Sequence, residues 1–67
     1  MNYVRTKLAL EALEEGQVLE VFVSRGEAER NVPRSAREEG HEVLAVENDG
    51  DDRVRVLIRK KEESRGP

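Results

Sequence analysis

The sequence predicts an α/β fold: a two-layer sandwich with the element order α-β-α-β-β and both helices on one face of a mixed sheet. Two segments place apolar residues at the three- and four-residue spacing of a helix. Three further segments have the β-branched residues and short length of strands, and glycines separate most of these segments. A strand–helix–strand passage allows a parallel pair with a right-handed crossover, and a hairpin adds an antiparallel strand.

The first helix is predicted over residues 2–15. Its apolar residues at helical spacing are Val4, Leu8, Ala9, Ala12 and Leu13, and Tyr3 and Leu10 widen this apolar side. Asn2 is suited to cap the helix N-terminus, and Gly16 is suited to a left-handed cap after the last turn. The pattern therefore predicts a broad apolar side that packs against the sheet, opposite Lys7 and Glu11.

The second helix is predicted within residues 26–39, where Ala28, Val32 and Ala36 stand four residues apart. Pro33 is unfavourable inside a helix because it lacks an N–H and its ring clashes with the preceding turn. The regular helix is therefore expected to begin near residues 31–33, or to hold Pro33 in its first turn. Gly40 is expected to end this helix as a left-handed cap.

Strands are predicted over residues 17–24, 41–47 and 52–60. The third strand alternates three aliphatic side chains with three arginines, a pattern typical of a strand with one buried face. These residues are Val54, Val56 and Ile58 against Arg53, Arg55 and Arg59. The arginines are expected to pair across the outer face with Glu20, Glu42 and Glu47 of the other strands. Asp49-Gly50 predicts a tight hairpin between the second and third strands.

A short internal repeat supports this division into elements. The stretch EEGQVLEV over residues 14–21 resembles EEGHEVLAV over residues 38–46, with one inserted residue. Each copy reads as a helix end, a glycine cap and a strand start. On this alignment Leu44 and Val46 correspond to Leu19 and Val21, so all four are expected to face the same core.

The composition argues against several classes of function. The 67 residues carry 12 basic and 15 acidic side chains of intermixed sign, whereas nucleic-acid binding needs an excess of Lys and Arg on one face. The absence of cysteine removes disulfides, thiolate chemistry and cysteine-based zinc sites from these residues.

No long apolar run and no secretory leader is found, so a cytoplasmic location is expected. One domain is predicted over residues 1–61, followed by a frayed polar tail over 62–67.

No metal, cofactor or catalytic site is predicted within the sequence. His41 is the only histidine and has no partner at ligand spacing, so a structural or surface role is expected. The acidic turn around Gly50 does not fit a calcium loop, because Ala45 and Val56 stand where acidic ligands would be required. The serine and threonine hydroxyls have no evident base at hand.

Nearly the whole chain resembles the TusA/SirA-like sulfur-carrier proteins. The matching stretches are VRTKLALEALEEGQVLEVFV, RNVPRSAREEGHEVLAVE and RVLIRK, which keep the spacing of the family. The resemblance implies the family order β-α-β-α-β-β, to which this chain corresponds without the first strand. It also implies a function: a cysteine in the motif Cys-Pro-x-Pro, where the first strand meets the first helix, carries sulfur as a persulfide and passes it to a partner protein.

On the register of this resemblance, Met1 falls on the x of the motif and Asn2 takes the place of its second proline. The motif cysteine would precede Met1, so no catalytic residue is assigned within the chain and sulfurtransferase activity is left open. Either Met1 is an internal methionine of a longer sulfur carrier, or the chain is a cysteine-less module that docks on sulfur-relay partners. The residues expected to contact partners are Arg5, Lys7 and Arg34, near the start of the first helix.

Two further expectations follow from the resemblance. The fold is also similar to the C-terminal domain of translation initiation factor 3, which makes a small RNA-binding domain a third alternative, against the acidic balance of the chain. A missing first strand would leave a sheet edge or a helix face uncovered. The 67-residue chain is therefore expected to be marginally stable or to associate with itself through that edge.

Overall fold

The structure, a computed structural model, describes residues 3–62. Two helices and three strands follow one another in the order α-β-α-β-β, which confirms the predicted fold class and element order. They are α1 (Val4–Ala12), β1 (Val18–Ser24), α2 (Glu27–Glu38), β2 (Glu42–Asn48) and β3 (Arg53–Arg59). Of the predicted tail, residues 63–67 lie outside the described part of the chain.

The three strands form one sheet in the order β1-β3-β2. Both neighbouring pairs are antiparallel, with Val21 and Val46 each opposite Val56 of the central strand. β1 and β2 therefore run in the same direction, as the strand–helix–strand passage predicts, but β3 lies between them. The parallel pair that would make the sheet mixed is thus absent from residues 3–62, because β3 returns into the space between β1 and β2.

The core lies between the sheet and the helices. Its fully buried apolar residues are Leu10, Val23, Ala28, Val32, Ala36, Val54, Val56 and Ile58. The predicted alternation of β3 is confirmed, since Val54, Val56 and Ile58 are buried and the arginines, with the half-buried Leu57, alternate with them on the outer face. α2 packs against all three strands, whereas α1 packs against β1. The two helices therefore cover different parts of the same face, and α1 lies towards the β1 edge of the sheet.

The apolar residues of α1 are not buried as the periodicity suggests. Leu10 is 0% exposed and Thr6 is buried, whereas Leu8 is 59% exposed and Val4 is also exposed. At 3.6 residues per turn, the direction midway between Thr6 and Leu10 lies roughly 180° from Leu8. Leu8, on one side of the predicted apolar arc, thus faces away from the core, whereas Leu10 and the partly buried Leu13, on its other side, pack against the core. The apolar arc of α1 is broad, and its contacts with β1 and the common core decide which part of it is buried.

α1 is also shorter than predicted. It ends at Ala12, and Gly16, with φ +85°, lies in the following turn and does not cap the helix. A buried lysine satisfies the end of the helix instead: Lys60 Nζ donates a hydrogen bond to the carbonyl oxygen of Leu10 at 2.8 Å. The predicted cap residue Asn2 lies outside the described residues.

α2 begins earlier than predicted: it neither starts near residues 31–33 nor holds Pro33 in its first turn. The helix starts at Glu27, with Pro33 buried in its interior, and the side chain of Glu29 accepts a hydrogen bond from the Gly26 N–H at 3.3 Å. Burial of Ala28, Val32 and Ala36 against the sheet outweighs the hydrogen bond that proline cannot make.

The predicted glycine cap of α2 is confirmed. Gly40 has φ +93° and donates its N–H to the carbonyl of Arg37, while His41 donates to Ala36. These two bonds form a Schellman motif, which requires a left-handed residue at the glycine position. A methyl group at Gly40 would also lie 3.3 Å from Cδ of Lys61.

The prediction that Leu44 and Val46 of β2 are buried in the core is wrong, and for Leu44 the reason is a β-bulge. The register shifts between Val43 and Ala45, so Leu44 has no partner of its own on β3. Leu44 is 43% exposed and Val46 is 42% exposed, while Val43 packs against the core. The sequence repeat thus predicts the strand correctly but not the bulge, which leaves Leu44 unpaired and exposed. Val46 lies opposite Val56, on the face that carries the helices, but it is exposed there.

The predicted arginine–glutamate pairs are present on the outer face of the sheet. Arg55 lies 2.7 Å from Glu20 and 3.3 Å from Glu47, and Arg59 pairs with Glu42. Arg53 pairs with Asp49 at 2.6 Å and its guanidinium lies 4.7 Å from the centre of the Phe22 ring. Each arginine of β3 therefore has a carboxylate partner on this face.

Candidate functional site: the first turns of α1 and the edge beside it

The first candidate residue, Arg5, lies on the side of α1 that faces the β1 edge. Arg5, Thr6 and Ala9 border a groove of about 240 Å³, whose other wall is residues 19–22 of β1. The lining is mostly apolar, and Arg5 itself is exposed. The groove therefore offers apolar side chains and backbone to a neighbouring segment, with one cation from Arg5.

β1 has one unpaired edge among the described residues, because β3 is its only neighbour in the sheet. The Arg25 N–H donates to the carbonyl of Asp52 at 3.2 Å, which continues the bonded pairs of β1 and β3. Bonded pairs alternate in an antiparallel ladder, so the odd-numbered residues of β1 bond to β3. The backbone groups that face the open edge are those of Val18, Glu20, Phe22 and Ser24.

The second candidate, Lys7, lies on the opposite side of α1 and joins a polar cluster. Its Nζ is 3.6 Å from Oε2 of Glu39, and the hydroxyl of Tyr3 donates a hydrogen bond to Oε1 of the same carboxylate at 3.3 Å. Partial burial and the adjacent Glu39 raise the pKa of Tyr3 to about 12. Glu39 thus connects the first turns of α1 to the end of α2.

The same cluster contains His41 and Lys61. His41 is 7% exposed, which agrees with a structural role, and its Nδ1 accepts a hydrogen bond from the Lys61 N–H at 3.1 Å. Its Nε2 lies 4.0 Å from Oε1 of Glu39, and Lys61 Nζ donates to the Glu39 carbonyl oxygen at 2.9 Å. Residue spacing could not have found this group, because its members come from three separate stretches of the chain: residues 3–7, residues 39–41 and Lys61.

The third candidate, Arg34, lies on α2 beside a cleft of about 600 Å³ that it shares with Tyr3, Ser24 and Ser35. Its guanidinium donates a hydrogen bond to Oδ1 of Asn31 at 3.0 Å. The structure therefore places the three predicted contact residues at three locations around α1: Arg5 at the open edge, Lys7 on Glu39, and Arg34 across the cleft from Tyr3. Met1 and Asn2, the predicted remnant of the motif, lie outside the described residues.

A metal site and a membrane-spanning helix were also sought among the described residues. Between residues 3 and 62, no three His, Asp or Glu side chains are grouped so as to hold a metal ion. No helix in this range is long and apolar enough to cross a membrane.

Comparison with known proteins shows the family. Residues 1–60 match the family profile described as Sulfurtransferase TusA. A protein of Archaeoglobus fulgidus named "Putative sulfur carrier protein" is 46% identical over 60 residues, which are 90% of this chain and 68% of that protein. One of the same name from Thermotoga maritima is 33% identical over 58 residues, 87% of this chain and 73% of that protein. No solved structure matches. The chain therefore belongs to the TusA family.

Proposed function

We propose that this chain is the main part of a TusA-like sulfur carrier, which receives sulfur as a persulfide and passes it to a protein acceptor. The family match over residues 1–60 carries the proposal, and both named relatives support it. The sequence contains no cysteine, so the persulfide would form on a cysteine encoded before Met1. The protein partners would be a sulfur donor and a sulfur acceptor.

The start of α1 suits this chemistry. The unpaired N–H groups and the positive dipole end of a helix favour a thiolate over a thiol, and Arg5 and Lys7 add positive charge in the first turns. In the transfer step, an acceptor nucleophile would bond to the outer sulfur of the persulfide. The bond between the two sulfurs would break, and the cysteine would leave as a thiolate.

The open edge of β1 supports the presence of a preceding strand. Val18, Glu20, Phe22 and Ser24 direct backbone groups outward, and α1 lies over the space beside them. One extended segment in this space would satisfy the backbone groups and cover the apolar groove. A strand that runs parallel to β1 there would end near Tyr3, where the family motif would lie.

Intact mass and thiol labelling of the protein from its native source test this proposal. A mass above 7.6 kDa together with one reactive thiol is expected. The thiol should take up one sulfur from a persulfide donor and lose it to dithiothreitol. A mass equal to that of the 67-residue chain, with no thiol, would refute the carrier role.

In that event the alternative is a cysteine-less module that docks on the proteins of a sulfur relay. Arg5, Lys7 and Arg34 are the residues we propose for contact with such partners. The open edge would then also permit association of the 67-residue chain with itself.

Sedimentation velocity over a wide concentration range would detect that association. Val18→Lys places a charge at the open edge of β1 and should prevent the association, whereas Val46→Lys alters a valine of similar exposure on β2 and should not. Equal behaviour of both variants would exclude the β1 edge as the contact.

A further inference from the structure

The outer side of α2 carries three arginines, which we call the arginine row. Arg30, Arg34 and Arg37 are spaced by four and then three residues, so they lie within roughly 60° of one another around the helix axis. All three are exposed, and the buried residues of α2 lie on the opposite side of the helix, against the sheet. The row therefore points away from the core into the solvent.

The helix holds this row on a firm support. Ala28, Val32 and Ala36 are buried in the core, and α2 packs against all three strands. The guanidinium of Arg34 also donates a hydrogen bond to Oδ1 of Asn31 at 3.0 Å, which is a contact with a neutral amide. At 1.5 Å per residue, the three Cα positions are separated along the axis by about 6 Å and about 4.5 Å. The spacing of the three positive charges is thus set by the helix.

The arginine row has no carboxylate partner in the described part of the chain. Glu27 precedes Arg30 by three residues and Glu38 follows Arg34 by four, yet within residues 3–62 no ion pair reaches any member of the row. The arginines of β3 and Lys7 differ in this respect, since each of them has a carboxylate partner. The guanidinium groups of the row are therefore available to carboxylates from another molecule.

The neighbours of the row indicate the kind of partner. Glu27 and Glu38 lie along one flank of it, at roughly 20–40° from Arg34 around the axis. They would repel a nucleic-acid backbone laid along the row, which carries phosphates at every step. A protein segment can instead place single carboxylates on the arginines and uncharged side chains beside the glutamates. A helix with acidic residues spaced by four and three residues repeats the spacing of the row itself.

We propose that the arginine row of α2 is a docking surface for an acidic helix of a protein partner, whose carboxylates pair with Arg30, Arg34 and Arg37. Arg34 borders the cleft that it shares with Tyr3, so a helix docked on the row would lie beside the start of α1. The inference rests on the proposed function only in taking this partner to be a donor or an acceptor of sulfur. Contacts of this kind select a partner and speed its association.

Two synthetic helical peptides test the docking, in NMR titrations of the ¹⁵N-labelled 67-residue chain. The matched peptide carries three glutamates spaced by four and three residues, and the control peptide has the same composition with glutamates spaced by two and three residues. The amide resonances of α2 should shift with the matched peptide, which should bind more tightly than the control. Equal binding of both peptides would overturn the proposal, as would unshifted α2 resonances at millimolar concentrations of the matched peptide.

Two double substitutions with the same change in net charge separate the row from general electrostatic attraction. An exposed ion pair changes affinity by about two- to fivefold, so Arg30→Gln together with Arg37→Gln should weaken binding of the matched peptide about four- to twentyfold. Arg53→Gln together with Arg59→Gln removes two arginines that already have carboxylate partners, and should change it less than about twofold. Equal losses in the two double variants would refute the assignment to α2.

A single-stranded RNA oligonucleotide of mixed sequence tests the competing class of ligand. It should bind more weakly than the matched peptide at the same salt concentration. Tighter binding of the RNA, with shifts of the same α2 resonances, would overturn the protein partner in favour of a nucleic acid. None of these measurements involves a thiol or a persulfide, so their failure would leave the sulfur-carrier proposal standing, and failure of the carrier proposal would leave the docking result unchanged.

Discussion

Two leucines of α1, Leu8 and Leu10, offer a direct test of how this helix packs. Substitution of either by alanine removes the same atoms and changes helix propensity by the same small amount. Leu10 is 0% exposed and Leu8 is 59% exposed, so the two substitutions differ in burial. We expect Leu10→Ala to destabilise the fold strongly and Leu8→Ala to have little effect.

The magnitude follows from the burial of Leu10. Removing a fully buried leucine side chain to alanine costs about 2–5 kcal/mol, as lost transfer free energy plus the cavity left behind. Exposed substitutions are usually within about 0.5 kcal/mol. A 67-residue domain has a net stability of roughly 3–10 kcal/mol, so Leu10→Ala removes a large share of it.

Urea unfolding followed by circular dichroism at 222 nm measures both variants, since the chain has no tryptophan to report. The transition midpoint of Leu10→Ala should fall far below that of the natural chain, and that of Leu8→Ala should stay close to it. An equal or larger loss for Leu8→Ala would show that α1 packs with its other apolar side on the sheet. The orientation of Tyr3, Lys7 and the Glu39 cluster would then be wrong as well.

Three further predictions concern single contacts. Absorbance titration should give Tyr3 a pKa of about 12, and Glu39→Gln should lower this pKa towards 10. Because the pKa of Tyr3 is higher in the folded than in the unfolded chain, its contribution to folding stability is complete below pH 10. That contribution is lost as pH rises from 10 to 12. Lys60→Met should destabilise by about 1–3 kcal/mol in urea unfolding, because the buried ammonium no longer bonds the carbonyl at the end of α1. Gly40→Ala should destabilise by about 1–2 kcal/mol, because φ +93° is unfavourable for alanine and Lys61 leaves little room.

Each of these predictions has a control. Tyr3 titrating near 10 in the unsubstituted chain would mean that Glu39 does not approach its hydroxyl. Lys61→Met should cost less than Lys60→Met, since Lys61 is only partly buried. Gly16 has a similar φ of +85°, but the methyl group of an alanine there would lie in open space. If Gly16→Ala costs as much stability as Gly40→Ala, both losses come from the backbone conformation alone.

Local residue patterns were enough to identify the elements. The alternation in β3 predicts its buried face correctly because side chains alternate strictly along a strand, and the core on one side selects the aliphatic set. The glycine cap at Gly40 is predictable for a similar reason, since a left-handed residue is needed wherever the chain leaves a helix in a Schellman motif. The arginine pairs follow from the register of neighbouring strands.

The candidate site was less predictable. Arg5, Lys7 and Arg34 come from the family resemblance, and the structure distributes them around α1 instead of bringing them together. Glu39 was not singled out, although it contacts residues 36 positions away, because one carboxylate in an acidic chain has no distinguishing local pattern.

The sequence by itself determined the class of fold, the order of the elements, the buried face of β3 and the family, because these depend on local periodicity and on matched spacing along the chain. Only the tertiary structure decided which side of α1 is buried, that Leu44 lies in a bulge and that Pro33 lies inside α2. These outcomes depend on which surfaces meet, and burial against the sheet outweighs the smaller local preferences of single residues. The contact of Tyr3, Lys7 and His41 with one carboxylate has the same origin, since only folding brings α1, the end of α2 and the start of β2 together.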